Sequence, residues 1–273
     1  MSPGPPEPAA TQDLPGRRLA RAGLLAVLLA SVGLTVLLAG RSPADAQADL
    51  VAEGNALYQQ GCVSCHGPEG GGVRVQGEER GPSLRRSGAA VAYYMLETGR
   101  MPLNDPDEQP HRKERAYEEA EIEALVAYVA TLGEGPPLPD IDLEDADLAA
   151  GGLVFRGNCQ ACHSASGAGG ALSYGRAAPG LRQSEPLVVG AAVRSGPGQM
   201  PSFGEGEISD ERLNDLVEYV QFLQDPPDPG GIHLSRIGPV PEGFVAWFVG
   251  VVLLLACVYW IGTRSPIRRR RRT

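Results

Sequence analysis

Cys62-Val63-Ser64-Cys65-His66 and, at an offset of 97 residues, Cys159-Gln160-Ala161-Cys162-His163 are the stretches that decide how this 273-residue chain is built. Two thiols three positions apart fall on one helical turn, and the following histidine leaves from the same turn. That spacing lets both thiols reach the two vinyl groups of one porphyrin as thioethers while the histidine faces the iron, so C-x-x-C-H reads as a c-type haem attachment sequence. A four-thiolate zinc site would need the two pairs to meet, at a spacing commonly much shorter than this one. A thioredoxin-type redox pair needs a βαβ setting and does not require the histidine. Two local disulfides would leave both histidines without a role. The doubled motif therefore predicts two covalently bound haem c groups, attached through Cys62, Cys65, Cys159 and Cys162, with His66 and His163 as axial iron ligands.

Methionine is scarce: Met1, Met95, Met101 and Met200 are all there are. Met101 and Met200 each precede a proline and follow the two histidines by 35 and 37 residues. They are the candidate sixth ligands. Met95 lies in an apolar helical stretch and reads as core, and neither His111 nor His233 has a counterpart in the other half. A thioether ligand favours ferrous iron and raises the potential. With both axial positions filled the iron has no place for substrate, which points to an electron carrier without catalytic side chains of its own.

The two halves repeat beyond the motifs. At the offset of 97, Gly54 and Tyr58 meet Gly151 and Phe155, and Pro82 meets Pro179; the methionines are offset by 99. Ile122, Leu125, Val126, Tyr128, Val129 and Leu132 meet Leu213, Leu216, Val217, Tyr219, Val220 and Leu223 at an offset of 91. The first half thus carries about eight extra residues, which fall in the polar loop Asn104 to Lys113. Each half is predicted to run as a first helix (49–60, 143–157), the haem motif, a Gly/Pro loop, a middle helix (88–98, 186–195), the methionine loop and a last helix (118–132, 210–223). Ser209 before Asp210 and Glu211 reads as a helix start. Gly54 and Gly151 would let the first helix approach the last, with Tyr58 and Phe155 beside Tyr128 and Tyr219. Each unit of about 90 residues is poor in large apolar side chains, and a porphyrin would supply the missing apolar volume.

Composition places these units outside a membrane. The chain has 36 Gly, 24 Pro and a formal charge of -9, but the charge is segregated. Residues 1–41 carry four Arg against two acids, residues 239–273 six Arg against one acid, and residues 42–238 fourteen basic against thirty acidic side chains. So acidic a body argues against nucleic-acid binding; it either steers a basic partner or only keeps the domains soluble. Residues 22–40 and 243–263 are uncharged runs that would reach about 28–31 Å as helices, the thickness of a bilayer core. Trp247, Tyr259 and Trp260 lie near the ends of the second. The first is read as a retained anchor, with a cleaved signal peptide as the alternative, since Ala44-Asp45-Ala46 offers a peptidase site. The basic flanks put both termini in the cytoplasm, next to anionic membrane lipid, and the acidic middle on the extracytoplasmic face of the cell membrane. Cys257, within the second run, reads as a small apolar filler.

On these motifs the chain resembles class I cytochromes c twice over, across residues 49–133 and 143–224. The fold class expected is all-α: two tandem class I cytochrome c domains with membrane-spanning helices at the N- and C-terminal ends. The organisation expected is a cytoplasmic N-terminus (1–21), an anchor or signal peptide (22–40), domain 1 (42–135), a linker (136–142) that overlaps the semi-rigid Gly135-Pro136-Pro137-Leu138-Pro139 run, domain 2 (143–227), a transmembrane helix (243–263) and a basic cytoplasmic tail (264–273). The resemblance implies that the carbonyls of Pro82 and Pro179 accept from Nδ1 of the ligating histidines and that Met101 and Met200 ligate iron. The whole layout, with Gly230-Gly231-Ile232-His233-Leu234 and Gly238-Pro239-Val240-Pro241-Glu242-Gly243 leading into the last span, resembles the dihaem cytochrome c subunit of the actinobacterial-type menaquinol–cytochrome c reductase. That family relationship implies a cytochrome b subunit and a Rieske iron–sulfur subunit as partners, electron delivery to an aa3-type cytochrome c oxidase, the first haem receiving and the second delivering, and the quinol site on other subunits. The alternatives are a free-standing membrane-anchored dihaem carrier for another terminal reductase or oxidase, a dihaem peroxidase with one open iron, and a structural metal-binding protein.

Overall fold

The computed structural model describes residues 42–106, 108–227 and 239–264. The predicted first span (22–40), the sequence around His233 and the arginine-rich tail beyond Arg264 lie outside the described residues. In chain order the elements are α1 (Pro43–Gly61), α2 (Val63–His66), β1 (Val73–Val75), β2 (Glu78–Gly81), α3 (Gly88–Glu97), α4 (Glu119–Thr131), α5 (Leu148–Asn158), α6 (Gln160–His163), β3 (Gly170–Ala171), β4 (Ala177–Ala178), α7 (Pro186–Ser195), α8 (Asp210–Gln224) and α9 (Pro239–Arg264).

The duplication is visible in the backbone. His66 N donates to Cys62 O and His163 N to Cys159 O, each at 2.9 Å; Leu84 N to Gly70 O and Leu181 N to Gly167 O are each 2.8 Å. In both halves the first helix lies against the last at a glycine. A Cβ on Gly54 would stand 1.9 Å from the Ala124 carbonyl oxygen, and one on Gly151 1.9 Å from that of Asp215. The aromatics one turn on then meet: Tyr58–Tyr128 and Phe155–Tyr219 ring centroids are 5.1 and 5.4 Å apart. Tyr58 and Phe155 are fully buried, each in its own core with Ile122 and Leu125 or Leu213 and Leu216.

Helix ends follow local chemistry. Glu118 and Glu121 form a reciprocal capping box at the start of α4. Ser209 Oγ accepts from Arg212 N at 3.4 Å at the start of α8. The predicted helix over 143–157 begins later, at Leu148, because the Asp147 carboxylate accepts from Ala149 N and Ala150 N and so caps the chain there.

Two features depart from the expectation. The fold is helical but not purely so: each Gly/Pro loop closes a short antiparallel ribbon, β1–β2 and β3–β4. Gln76 (φ 54°) and Gly77 (φ 91°) both have positive φ, the conformation that closes a two-residue hairpin loop. The proline run is also packed rather than a free tether. Ala90 N donates to Pro136 O at 3.1 Å, and Leu138 joins a cluster of Ala90 and Tyr94 from α3 with Val188 and Ala191 from α7. The two middle helices, equivalent in the repeat, thus pack on each other. Met95 lies against this cluster, away from the haem motifs' cores.

In α9, Glu242–Arg264 is one helix of 23 residues, among those described, that is long and apolar enough to cross a membrane. Cys257 sits exposed on it, as do Trp247, Tyr259 and Trp260.

Candidate functional site

Each site is built from one turn and two loops. Cys62 follows α1 directly and Cys65-His66 closes α2; Cys159 follows α5 and Cys162-His163 closes α6. Nδ1 of His66 lies 2.8 Å from Pro82 O, and Nδ1 of His163 lies 2.9 Å from Pro179 O. A carbonyl only accepts, so Nδ1 carries the proton and the lone pair is left on Nε2, the atom able to bind iron. Gly72 (φ 84°) and Gly169 (φ 85°) make these contacts possible: each bends back to accept the proline segment so closely that a Cβ would stand 2.9 Å from Ser83 N or 2.5 Å from Ala178 O.

None of the four cysteines forms a disulfide. Cys62 packs on the first core and Cys159 on the second, so the two pairs do not meet as a four-sulfur site. Burial pushes the Cys62 and Cys159 thiols up, each to about 11, with the neighbouring Cys65 or Cys162 adding to it. Before any thioether forms, this is opposite to the depressed thiol of a disulfide oxidoreductase. Met101 packs on the core that holds Cys62 and Tyr58, and Met200 on the core that holds Cys159 and Phe155. In each half one cysteine and one methionine thus share an apolar wall. Two thiols on a turn, an imidazole with Nε2 left as acceptor and a thioether from a separate loop are the donor set of a c-type haem. His111 instead sits on the inserted loop beside Glu108, at 3.2 Å.

Sequence reasoning missed what holds the methionine loops. In the second half Arg194, 8% exposed, donates to Phe203 O at 3.0 Å and Ile208 O at 2.6 Å and pairs with Asp210. It closes the loop that carries Met200. In the first half the work is divided: Lys113 Nζ donates to Pro102 O at 2.9 Å, next to Met101, and Arg115 pairs with Glu97 at 3.0 Å. The only signal in the sequence was an arginine amid the apolar residues of α7.

The model of the family described as "Cytochrome c" matches residues 51–133, and that described as "Cytochrome C oxidase, cbb3-type, subunit III" matches residues 146–220. Proteins named cytochrome bc1 complex cytochrome c subunit are similar over nearly the whole chain. That of Corynebacterium efficiens is 36% identical over 276 residues, covering 91% of this chain and 92% of its own. The relative from Corynebacterium diphtheriae is 35% identical, covering 91% and 95%, and that from Mycobacterium tuberculosis 37% identical, covering 91% and 92%. This chain belongs to the family of cytochrome bc1 complex cytochrome c subunits. As a member of that family with a cytochrome c domain in each half, it carries two covalently bound haem c groups. Cytochrome c6 of Leptolyngbya boryana is 40% identical over 80 residues, covering 28% of this chain and 91% of its own.

Proposed function

We propose that the chain is the electron relay of a quinol–cytochrome c reductase, taking electrons from a Rieske iron–sulfur protein and passing them to an aa3-type cytochrome c oxidase. Cytochrome b and the Rieske protein are its partners in the complex, whose oxidoreductase activity resides in the assembly; the chain alone is a carrier. The observation that carries the reading is the paired geometry of histidine, proline carbonyl and methionine loop in both halves, in a chain that matches its relatives over 91% of its length.

Cys62 and Cys65 hold the first haem and Cys159 and Cys162 the second, with His66 and Met101, and His163 and Met200, as the iron ligands. Bound in this way, haem iron supplies one-electron transfer between ferrous and ferric states. The protein's part is to keep that change small in structure. The Pro82 and Pro179 carbonyls hold each imidazole in one orientation and one tautomer. Lys113 and Arg194 hold the methionine loops in place. Tyr58 and Phe155 and their cores exclude water from the inner face. Domain 1 receives and domain 2 delivers.

The α9 helix anchors the chain in the cell membrane, residues 22–40 form a second span, both termini are cytoplasmic, and the haem domains lie on the extracytoplasmic face. The test is purification from the native membrane with subunit identification and covalent-haem counting. Cytochrome b and the Rieske protein should accompany a chain of two haems, and oxidase turnover with quinol should fail without it. A two-haem chain that purifies apart from both subunits, from membranes whose quinol oxidation is intact in its absence, would refute the proposal.

A further inference from the structure

The two halves differ at one point beside the first cysteine of each haem motif. At the offset of 91, Tyr117 corresponds to Ile208. Each stands just before the cap of its last helix, Glu118 for α4 and Ser209 for α8. A residue in this place packs on the first turn of the helix, and both do so: Tyr117 lies against the core that holds Ile122, and Ile208 is in the core that holds Leu213. That role asks for hydrocarbon. It does not ask for a hydroxyl.

The hydroxyl nevertheless has a place made for it. Gly61, the last residue of α1, does not have positive φ, so its backbone does not call for glycine. A Cβ there would stand 2.4 Å from Tyr117 Oη and 3.7 Å from its Cζ. At the offset of 97 the equivalent position is Asn158, whose side chain turns back to donate to Val154 O at 3.0 Å. Glycine and tyrosine thus go together in domain 1, and asparagine and isoleucine in domain 2. The phenol is held beside Cys62, which follows Gly61 directly and packs on the same core as Tyr117 and Met101. Burial first, and the Cys62 thiol second, push the Tyr117 phenol up, so it is neutral near neutral pH. The other unmatched phenol beside Cys62 is Tyr58, in the place of Phe155; its O–H is committed to Gly67 O at 2.7 Å. Ile208 offers no dipole to the wall that Cys159 and Met200 share.

A ferric haem carries one more positive charge than a ferrous one, and the polarity of its surroundings decides what that charge costs. A phenol oxygen, its hydrogen swung aside, presents negative charge density to a cation; an isoleucine cannot. We propose that Tyr117, seated against Gly61 beside Cys62, lowers the potential of the first haem relative to the second and so favours passage of one electron from domain 1 to domain 2. Ferrous iron in domain 1 is oxidised in that step and ferric iron in domain 2 is reduced. This rests on reading Cys62 and Cys65 as the first haem's attachment and domain 1 as the receiving end. A covalent-haem count of two in every variant checks the attachment separately from the potentials.

The experiment is potentiometric titration of the purified complex for wild type, Tyr117→Phe, Gly61→Ala, the double variant Gly61→Ala/Tyr117→Phe, and Tyr174→Phe, whose phenol is 96% exposed, as a surface control. The first haem is the one whose midpoint Met101→His moves, and the absorption band of methionine-ligated ferric iron is read alongside. In Tyr117→Phe the first midpoint rises, the ferrous-to-ferric ratio at a fixed poise growing at least about twofold, while the second midpoint and the band are kept. Gly61→Ala moves the same midpoint in the same direction, because its Cβ displaces the hydroxyl. On the Phe background Gly61→Ala adds nothing, since the atom it would strike is gone. Tyr174→Phe leaves both midpoints in place. An unchanged or lowered first midpoint in Tyr117→Phe overturns the proposal, and so do equal shifts of both haems. Loss of the methionine band in that variant also overturns it, by making the hydroxyl a packing group alone. So does a further shift when Gly61→Ala is added to the Phe background. Should Tyr117→Phe fail to assemble, Gly61→Ala against wild type carries the same comparison.

Discussion

His66 donates from Nδ1 to the carbonyl oxygen of Pro82 at 2.8 Å, across 16 residues of chain, and His163 repeats the contact with Pro179 at 2.9 Å. The hydrogen bond spans a loop that folds back through a positive-φ glycine, so imidazole orientation depends on how that loop is packed. The two haem sites share this design and differ in what secures the opposite side.

The two methionines proposed as ligands can be exchanged independently. Met101→His and Met200→His should each lower the potential of its own haem by an amount on the order of 0.1 V, within the roughly 0.8 V range that axial ligands command, and leave the other haem nearly unchanged. Potentiometric titration of the two haems reads this directly. A titration identical to wild type in Met200→His would exclude Met200 as a ligand, and Met200→His should also slow electron delivery to oxygen.

Gly54 and Gly151 mark the closest helix approaches, each 1.9 Å from a carbonyl oxygen if a Cβ is added. Gly54→Ala should destabilise domain 1 and Gly151→Ala domain 2, each by about 1–3 kcal/mol or more, because the backbone it meets cannot move aside as a side chain would. Thermal unfolding followed at the haem absorbance should show one domain's transition lowered in each variant. Gly157→Ala, where a Cβ meets nothing within 4 Å, is the comparison that should leave the transition in place.

Arg194 is almost completely buried and bridges two carbonyls of the Met200 loop. Arg194→Met keeps the apolar stem and removes the donors, leaving Phe203 O and Ile208 O without them. The expected cost is about 2–4 kcal/mol, together with partial loss of methionine ligation at the second haem and none at the first. Lys113→Met should affect only the first haem, and less, since Lys113 meets a single carbonyl oxygen in a part-buried setting.

Tyr58 should make domain 1 sensitive to alkali. Burial pushes its phenol up to about 12, and its O–H donates to Gly67 O at 2.7 Å. An unfolded tyrosine ionises near 10, so the folded state favours the neutral form. The resulting stability is complete below about pH 10 and falls as the pH climbs towards 12. Tyr58→Phe loses the hydrogen bond, a cost of about 1 kcal/mol near neutrality, but should show a shallower loss of stability between pH 10 and 12. Chemical denaturation across that range tests the difference in slope.

Local chemistry reached far into this protein. The C-x-x-C-H turns, the apolar period of α4 and α8, the capping residue Ser209, the glycines under Tyr58 and Phe155 and the apolar run in α9 all act within a few residues or repeat at a constant offset, so they show in a single chain. The proline carbonyls entered through family resemblance and not through any local rule, whereas the methionines stood out by their scarcity and their matched places in the repeat. The late start of α5 was hidden because Asp142, Glu144, Asp145 and Asp147 all precede it, and only the folded chain shows that the Asp147 carboxylate is the cap.

What the amino-acid order determined by itself is therefore the inventory: two duplicated units, their haem-binding turns, their helices and an apolar segment long enough to span a bilayer. Tertiary structure alone decided that α3 of one unit packs on α7 of the other, that the proline run is pinned between them, that the inserted loop sends Arg112 to Gln183 of the second unit, and that Arg194 closes the Met200 loop. Propensities and turn geometry are set by neighbours in sequence. Those later contacts join groups 9 to about 100 positions apart, and they exist only because burying apolar surface brings those segments together.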